Sequence, residues 1–193
     1  MKRDIIILNG PPGVGKDTLA QFGGVRFNAS HLSFKAPMFE IAHAMLGDRG
    51  FNAMMDAYND RSRKELPMRV LGGISPREFM IHISEAVVKP LLGKDRFGVL
   101  LCERIEKAKG RVIISDGGFP DEIESLVRRL PFDTRVNLFR LHRKGFQFEG
   151  SGDSRNYIYL PQLVSDRYRE FDVTLLDGCI AAALDDIAEG MMK

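Results

Sequence analysis

Apolar residues in this chain come in short runs, each closed by a polar or glycine-bearing break and then by a stretch with helical spacing. The runs Ile5–Leu8, His31–Phe34, Val112–Ile114, Val136–Leu141 and Val173–Leu176 have strand length. Helical patterns lie between them: after Thr18, over Met38–Leu46, Pro76–Val88 and Val99–Lys107, and from about Cys179 onward. Strands alternating with helices are the mark of βαβ units, whose strands are buried on both faces and so read as continuous apolar runs. The pattern predicts an α/β fold with a five-stranded parallel sheet and helices on both faces.

The spacing between the second and third strands is long. Asp56–Glu65 within it is polar and loop-like. We expect one domain over residues 1–193, with a helical substrate-side insertion and return helix over 36–108 and a lid-like flap over 143–160. No internal repeat or low-complexity tract interrupts the chain.

Parallel sheets bind ligands beyond the carboxyl ends of their strands, and the chemistry-bearing residues collect there. The first strand runs into Gly10-Pro11-Pro12-Gly13-Val14-Gly15-Lys16-Asp17-Thr18, a G-x-x-x-x-G-K loop that opens a helix. Such a loop turns successive amide N–H groups and a helix N-terminus onto phosphate oxygens, with Lys16 as a mobile charge on the outer phosphates. Gly10, Gly13 and Gly15 are expected in backbone conformations closed to other residues. The segment defines a P-loop, the cradle of a nucleotide triphosphate. Asp17 stands where Ser or Thr usually holds magnesium, with Thr18 next. Either oxygen donor suits a hard cation, and the sequence leaves the choice open.

The third run ends in Ser115-Asp116-Gly117-Gly118. An acid in that position fixes magnesium or accepts the proton of an attacking hydroxyl, so Asp116 is a candidate for both. Asp121 and Glu122 suit the first turn of the following helix. After the fourth run, residues 142–155 are glycine-rich and charged, and Arg143 and Arg155 are candidates for stabilising transition-state charge. His142 reads as a strand-end residue. Lys35, after the second run, and Arg77, in the helix start Ser75-Pro76-Arg77-Glu78, are candidates for gripping an anionic group of a substrate. Phe34, Phe39, Phe79 and Phe97 include candidates for stacking on a base.

Composition changes this picture little. The 193 residues carry 44% hydrophobic and 28% charged side chains, as an ordinary soluble globule does. No apolar run is long enough for a membrane span, and no signal or transit peptide is visible, so a cytoplasmic protein is expected. The two cysteines, Cys102 and Cys179, are expected to be reduced core residues. A net charge of +2 weighs against broad binding to nucleic acid. Local cation clusters weigh the other way: Arg61, Arg63, Lys64 and Arg69 crowd one segment, and Arg128, Arg129, Arg135, Arg140, Arg143 and Lys144 another.

With these residues in place, the chain resembles the nucleoside monophosphate kinase branch of the P-loop fold. Gly15-Lys16-Asp17-Thr18 is similar to the loop variant of bacteriophage deoxynucleoside monophosphate kinases. Ser33-Phe34-Lys35-Ala36-Pro37, Ser75-Pro76-Arg77-Glu78, Ser115-Asp116-Gly117-Gly118-Phe119 and Asp153-Ser154-Arg155 look closer still to phage 5-hydroxymethyluracil DNA kinases. The resemblance implies an ATP-dependent kinase that phosphorylates the hydroxymethyl group of 5-hydroxymethyluracil in phage DNA, a step in thymidine hypermodification. It implies ATP and Mg2+ bound by Gly10–Thr18, with Asp116 placing the ion or hydroxyl and Arg143 and Arg155 in the flap. The partner would be DNA containing modified thymine, in the host cytoplasm. Leu176-Asp177-Gly178 lacks the asparagine often found before Asp-Gly in such kinases. The alternative acceptor is a free deoxynucleoside monophosphate, with Lys35 and Arg77 on its phosphate; an NTP-hydrolysing switch is more remote, and no N-K-x-D guanine signature is present.

Overall fold

The computed structural model describes residues 3–150 and 155–193. These fall into two compact units, one of residues 3–34, 97–150 and 155–193, the other of residues 35–96. The second overlaps the span 36–108 expected as an insertion, and residues 97–108 of that span fall in the first unit.

The first unit is built on five strands: β1 (Arg3–Asn9), β2 (Ala29–Leu32), β3 (Arg111–Ile114), β4 (Thr134–His142) and β5 (Tyr168–Thr174). All pair in parallel, in the order β2-β3-β1-β4-β5. The apolar run of β1 takes the central place because it can be buried on both faces: Ile5, Ile6, Ile7 and Leu8 have no exposure. Each such side chain is worth about 1.5–3 kcal/mol relative to an exposed one.

Strand alternation divides the core. Ile6, Leu8, Ile113, Phe139, Leu141 and Val173 pack with Leu19, Ala20 and Phe27 of α1 (Lys16–Phe27) and with Ala183, Leu184, Ile187 and Met191 of the last helix, Ile180–Met192. The alternate residues Ile5, Ile7, Val112, Ile114, Val136 and Leu138 are equally buried on the other face.

In the second unit, α2 (Ala36–Tyr58) is broken at Gly47, whose φ of 63° and ψ of 173° are not helical. The helix continues into the stretch expected to be loop. Next comes α3 (Pro76–Ile81), with Ser75 and Glu78 forming a reciprocal capping box. A π-helical turn, His82–Val88, joins it to α4 (Lys89–Leu92), where the sequence pattern suggests a uniform helix. Back in the sheet unit are α5 (Arg96–Lys107), α6 (Pro120–Arg129) and, last, α7 (Ile180–Met192). The α5 and α6 helices bring buried stripes of their own, and right-handed crossovers from β2 to β3 and from β3 to β4 put them on the face opposite α1.

Two strands differ from expectation. β2 lies earlier than His31–Phe34 because Phe34 gives its N–H to the Asp116 carboxylate, not to a ladder. β5 begins well before Val173, since its polar residues Glu170 and Asp172 are satisfied across the sheet by Arg140 of β4. Cys102 is buried in α5, but Cys179 is exposed at the start of α7 and is not a core residue. Among the described residues, no helix is long and apolar enough to cross a membrane.

Candidate functional site

At the carboxyl end of β1 the chain turns through residues 10–15 into α1. Gly13 and Gly15 have φ values of 78° and 114°, a region that favours glycine. Gly10 differs from the expectation: it has no positive φ, and its reason is space. A Cβ there would lie 3.0 Å from the Leu141 carbonyl oxygen and 3.1 Å from Val14 Cγ1, so only glycine lets the loop pass this close to the end of β4. Pro11 is buried and Pro12 exposed.

Lys16 is half-buried in the first turn of α1, and its Nζ donates to the carbonyl oxygens of Gly10 (2.6 Å) and Pro11 (2.7 Å). The ammonium is thus folded back over the loop it belongs to, where an incoming phosphate would meet it. Asp17 and Thr18 are exposed on the same turn, and both present oxygen donors to solvent.

Beyond β3, Asp116 is buried at 7% exposure. Its Oδ2 accepts from the Ser33 hydroxyl (2.7 Å) and its Oδ1 from the Phe34 N–H (3.0 Å). Asp116 therefore ties the exit of β3 to the exit of β2. A carboxylate oxygen accepts more than one such bond, so an ion or a hydroxyl proton can share Asp116 with these donors. The turn after it is forced against β1: Gly117 N–H donates to the Leu8 carbonyl (2.9 Å), and a Cβ on Gly117 would sit 2.5 Å from that oxygen. Glu122 is a capping residue, as expected, with its Oε2 accepting from the Phe119 N–H (3.0 Å).

Arg143 follows β4 and pairs through Nη2 with Asp177 Oδ1 (2.6 Å), a residue beyond β5, while lying over the Phe146 ring. Asp177 is exposed, so this is a surface pair spanning two strand exits. Within the expected flap, Asp153 and Ser154 lie outside the described residues. Arg155 is half-buried, and the chain from Asn156 to Leu160 is held closely. Lys35 and Arg77 belong to the second unit: Lys35 precedes α2, and Arg77 Nη1 donates to Glu65 (3.3 Å). Of the stacking candidates, Phe34, Phe79 and Phe97 are buried, and Phe39 meets Tyr58 edge to face.

Two groups escaped the sequence reading. Asn9, 1% exposed at the end of β1, accepts from the Ile158 N–H (3.1 Å) and donates to the Asn156 carbonyl (3.2 Å). Its signal was an amide closing a wholly apolar run just before the first glycine. Arg140, 5% exposed, stood in the sequence only as one cation of a cluster. It makes a two-pronged bond to Asp172 (3.0 and 2.8 Å), one to Glu170 (2.6 Å) and one to the Ile158 carbonyl (3.0 Å). The bond from Arg140 holds the Asp172 carboxyl down at about 2, against the opposing pull of burial. The same pairing raises the Arg140 guanidinium further. His142 Nε2 is 2.6 Å from Asp172 Oδ1, and its ring lies against Tyr157.

Among the described residues, no group of three His, Cys, Asp or Glu side chains could cage a metal. The oxygens of Asp17, Thr18 and Asp116 suit instead an ion that arrives with phosphates and needs few protein ligands, as magnesium does.

No protein-family model and no curated protein matches the chain. Solved structures do. A protein from Chloroflexus aurantiacus described as a kinase aligns with a TM-score of 0.50 at 15% identity, over 98% of this chain and 99% of its own. A sugar kinase from Janibacter aligns at 0.49 and 11% identity over 100% and 95%. A shikimate kinase from Bacteroides thetaiotaomicron aligns at 0.40 and 15% over 97% and 77%. The first likeness shows the fold alone, an α/β architecture, here with the sheet order described above; the other two add nothing to it.

Proposed function

We propose that this protein is an ATP-dependent phosphotransferase, acting in the cytoplasm, that moves the γ-phosphoryl group of a triphosphate to a hydroxyl acceptor. The observation that supports it is the loop between β1 and α1: two left-handed glycines, a close pass by Leu141, and Lys16 folded over the Gly10 and Pro11 carbonyls. In the reaction, the acceptor oxygen bonds to the γ-phosphorus, the bond to the β–γ bridging oxygen breaks, and ADP leaves. Such a transfer needs positioning and charge neutralisation more than covalent chemistry. Lys16 and the loop amides would hold the outer phosphates, Asp116 would take or orient the hydroxyl proton, and Arg143 and Arg155 would meet the charge from the flap. Magnesium, held through Asp17 or Thr18 with Asp116, would supply neutralisation of phosphate charge.

For the acceptor, our reading is the hydroxymethyl group of 5-hydroxymethyluracil in DNA, which the motifs around Lys35, Arg77, Asp116 and Arg155 favour by resemblance. A base in a duplex would have to be flipped out, at a cost of about a few kcal/mol. The net charge of +2 favours a second reading, a free deoxynucleoside monophosphate. Incubation with γ-labelled ATP and either hydroxymethyluracil-containing DNA or free deoxynucleotides separates them. Label in DNA supports the first; label confined to free diphosphates removes it. With either acceptor, Lys16→Ala should lower kcat by about 10²- to 10³-fold or more while the protein stays folded. Retained turnover would dismiss the phosphate-loop site itself.

A further inference from the structure

The segment from Asn156 to Leu160 has no helix or strand, yet its backbone groups are held by side chains from the sheet. Asn9 takes the Ile158 N–H and feeds the Asn156 carbonyl. Arg140 feeds the Ile158 carbonyl (3.0 Å), Glu170 takes the Leu160 N–H (2.5 Å), and Tyr157 donates its hydroxyl to the Leu141 carbonyl (3.0 Å). The Asn9 amide can stand only one way round, because an N–H needs the oxygen and a carbonyl needs the NH2. This doubly bonded pair joins positions 147 and 149 residues apart in sequence. Asn9 is also the residue next to Gly10, and its Cα would be 2.9 Å from a Cβ on Gly117. Asn9 thus adjoins three segments: its backbone runs into the phosphate loop and lies against the turn after Asp116, while its buried amide holds the strap that follows Arg155.

We propose that Asn9 is a positioning residue that fixes the 155–160 strap to the phosphate loop, so that Arg155 is set relative to the bound triphosphate. This rests on the phosphate-loop reading above and adds to it the residue through which flap and loop are registered. The amide touches no reacting atom. Its bonds to Asn156 and Ile158 fix the course of the strap beside β1, one residue from Arg155. A displacement of about 1 Å at a transition-state contact is enough to cost about 100-fold in rate.

The test replaces Asn9 by leucine, which keeps the branched shape and heavy-atom count and removes both bonds, and by alanine as a smaller variant that adds no bulk. Four readouts are taken on the full chain: affinity for magnesium-ATP, kcat and KM for ADP release from magnesium-ATP with water as acceptor, and hydrogen exchange at the Ile158 amide. Affinity should stay within about threefold, kcat should fall about 100-fold, and the Ile158 amide should exchange at least about tenfold faster. Combined with Arg155→Ala, the losses should not multiply, because the second change removes what the first misplaces. Multiplying losses, or an unchanged kcat with a freely exchanging Ile158, would overturn the proposal. Lys16→Ala measured alongside separates the two levels. If it too leaves ADP release intact, the phosphate-loop reading fails; if it abolishes release while Asn9→Leu follows either overturning pattern, only this inference does.

Discussion

Strand β1 is bracketed by two buried polar residues, and they are used in opposite ways. Asp4, 4% exposed, lies at one end and is gripped by side chains: Arg135 Nε at 2.8 Å, Asn137 Nδ2 at 3.1 Å and Arg111 Nε at 3.9 Å. Asn9, at the other end about 16 Å away, is gripped by backbone. The far rim clamps strand to strand with charge. The near rim holds loops with a neutral amide, and neutrality there matters, because a carboxylate beside a phosphate loop would repel the ligand the loop is shaped for. On the phosphate-loop reading proposed above, one strand thereby separates a rim that serves stability from a rim that would serve binding.

Four substitutions test that division, from the largest expected effect to the smallest. Asp4→Ala removes the carboxylate shared by Arg135 and Asn137, leaving Arg135 its bond to the Met191 carbonyl, and should destabilise by about 3 kcal/mol in urea melts, with magnesium-ATP affinity of the folded fraction unchanged; a change in that affinity would break the division. Gly117→Ala drives a Cβ into the Leu8 carbonyl and should cost about 1–3 kcal/mol, this time with impaired turnover, since Asp116 must move with the turn. Asn9→Asp puts a charge on the binding rim and should weaken magnesium-ATP about tenfold by calorimetry, less so at high salt. An equal loss at all ionic strengths would point to geometry and not charge.

Asp172→Asn gives the smallest effect and a pH signature. The Asp172 carboxyl is depressed to about 2 in the folded chain, below an ordinary aspartate near 3.9. Its contribution is therefore complete above about pH 4 and disappears as pH falls through about 2. The stability gap between wild type and Asp172→Asn should be open at neutral pH and closed near pH 2; a gap of constant size would mean that Arg140 and His142 do not depend on this charge.

Much of the rim at the carboxyl end of β1 is readable in the sequence because its signals are local. Four consecutive apolar residues run into three glycines and a lysine, and burial of Ile5–Leu8 on both faces follows from that run alone. The acid after β3 was legible for the same reason. What stayed hidden depends on partners far along the chain. Asn9 reads as nothing special until Ile158 is brought beside it, and the polar start of β5 looks unlike a strand until Arg140 neutralises it across the sheet. Gly10 is expected for its backbone freedom, yet its φ is not positive and what it supplies is space: the crowding comes from Leu141, which no local pattern announces. The π-helical turn His82–Val88 likewise leaves the apolar spacing of a helix intact, and spacing was the signal available.

The two thiols offer a practical handle. Burial pushes the Cys102 thiol up, away from the thiolate that reacts with electrophiles, whereas Cys179 is open to solvent at the head of α7. A maleimide dye on wild-type protein should therefore settle at one address, two residues from Asp177. Its fluorescence would watch the Arg143–Asp177 surface pair directly, with no engineered cysteine and no disturbance of the interior.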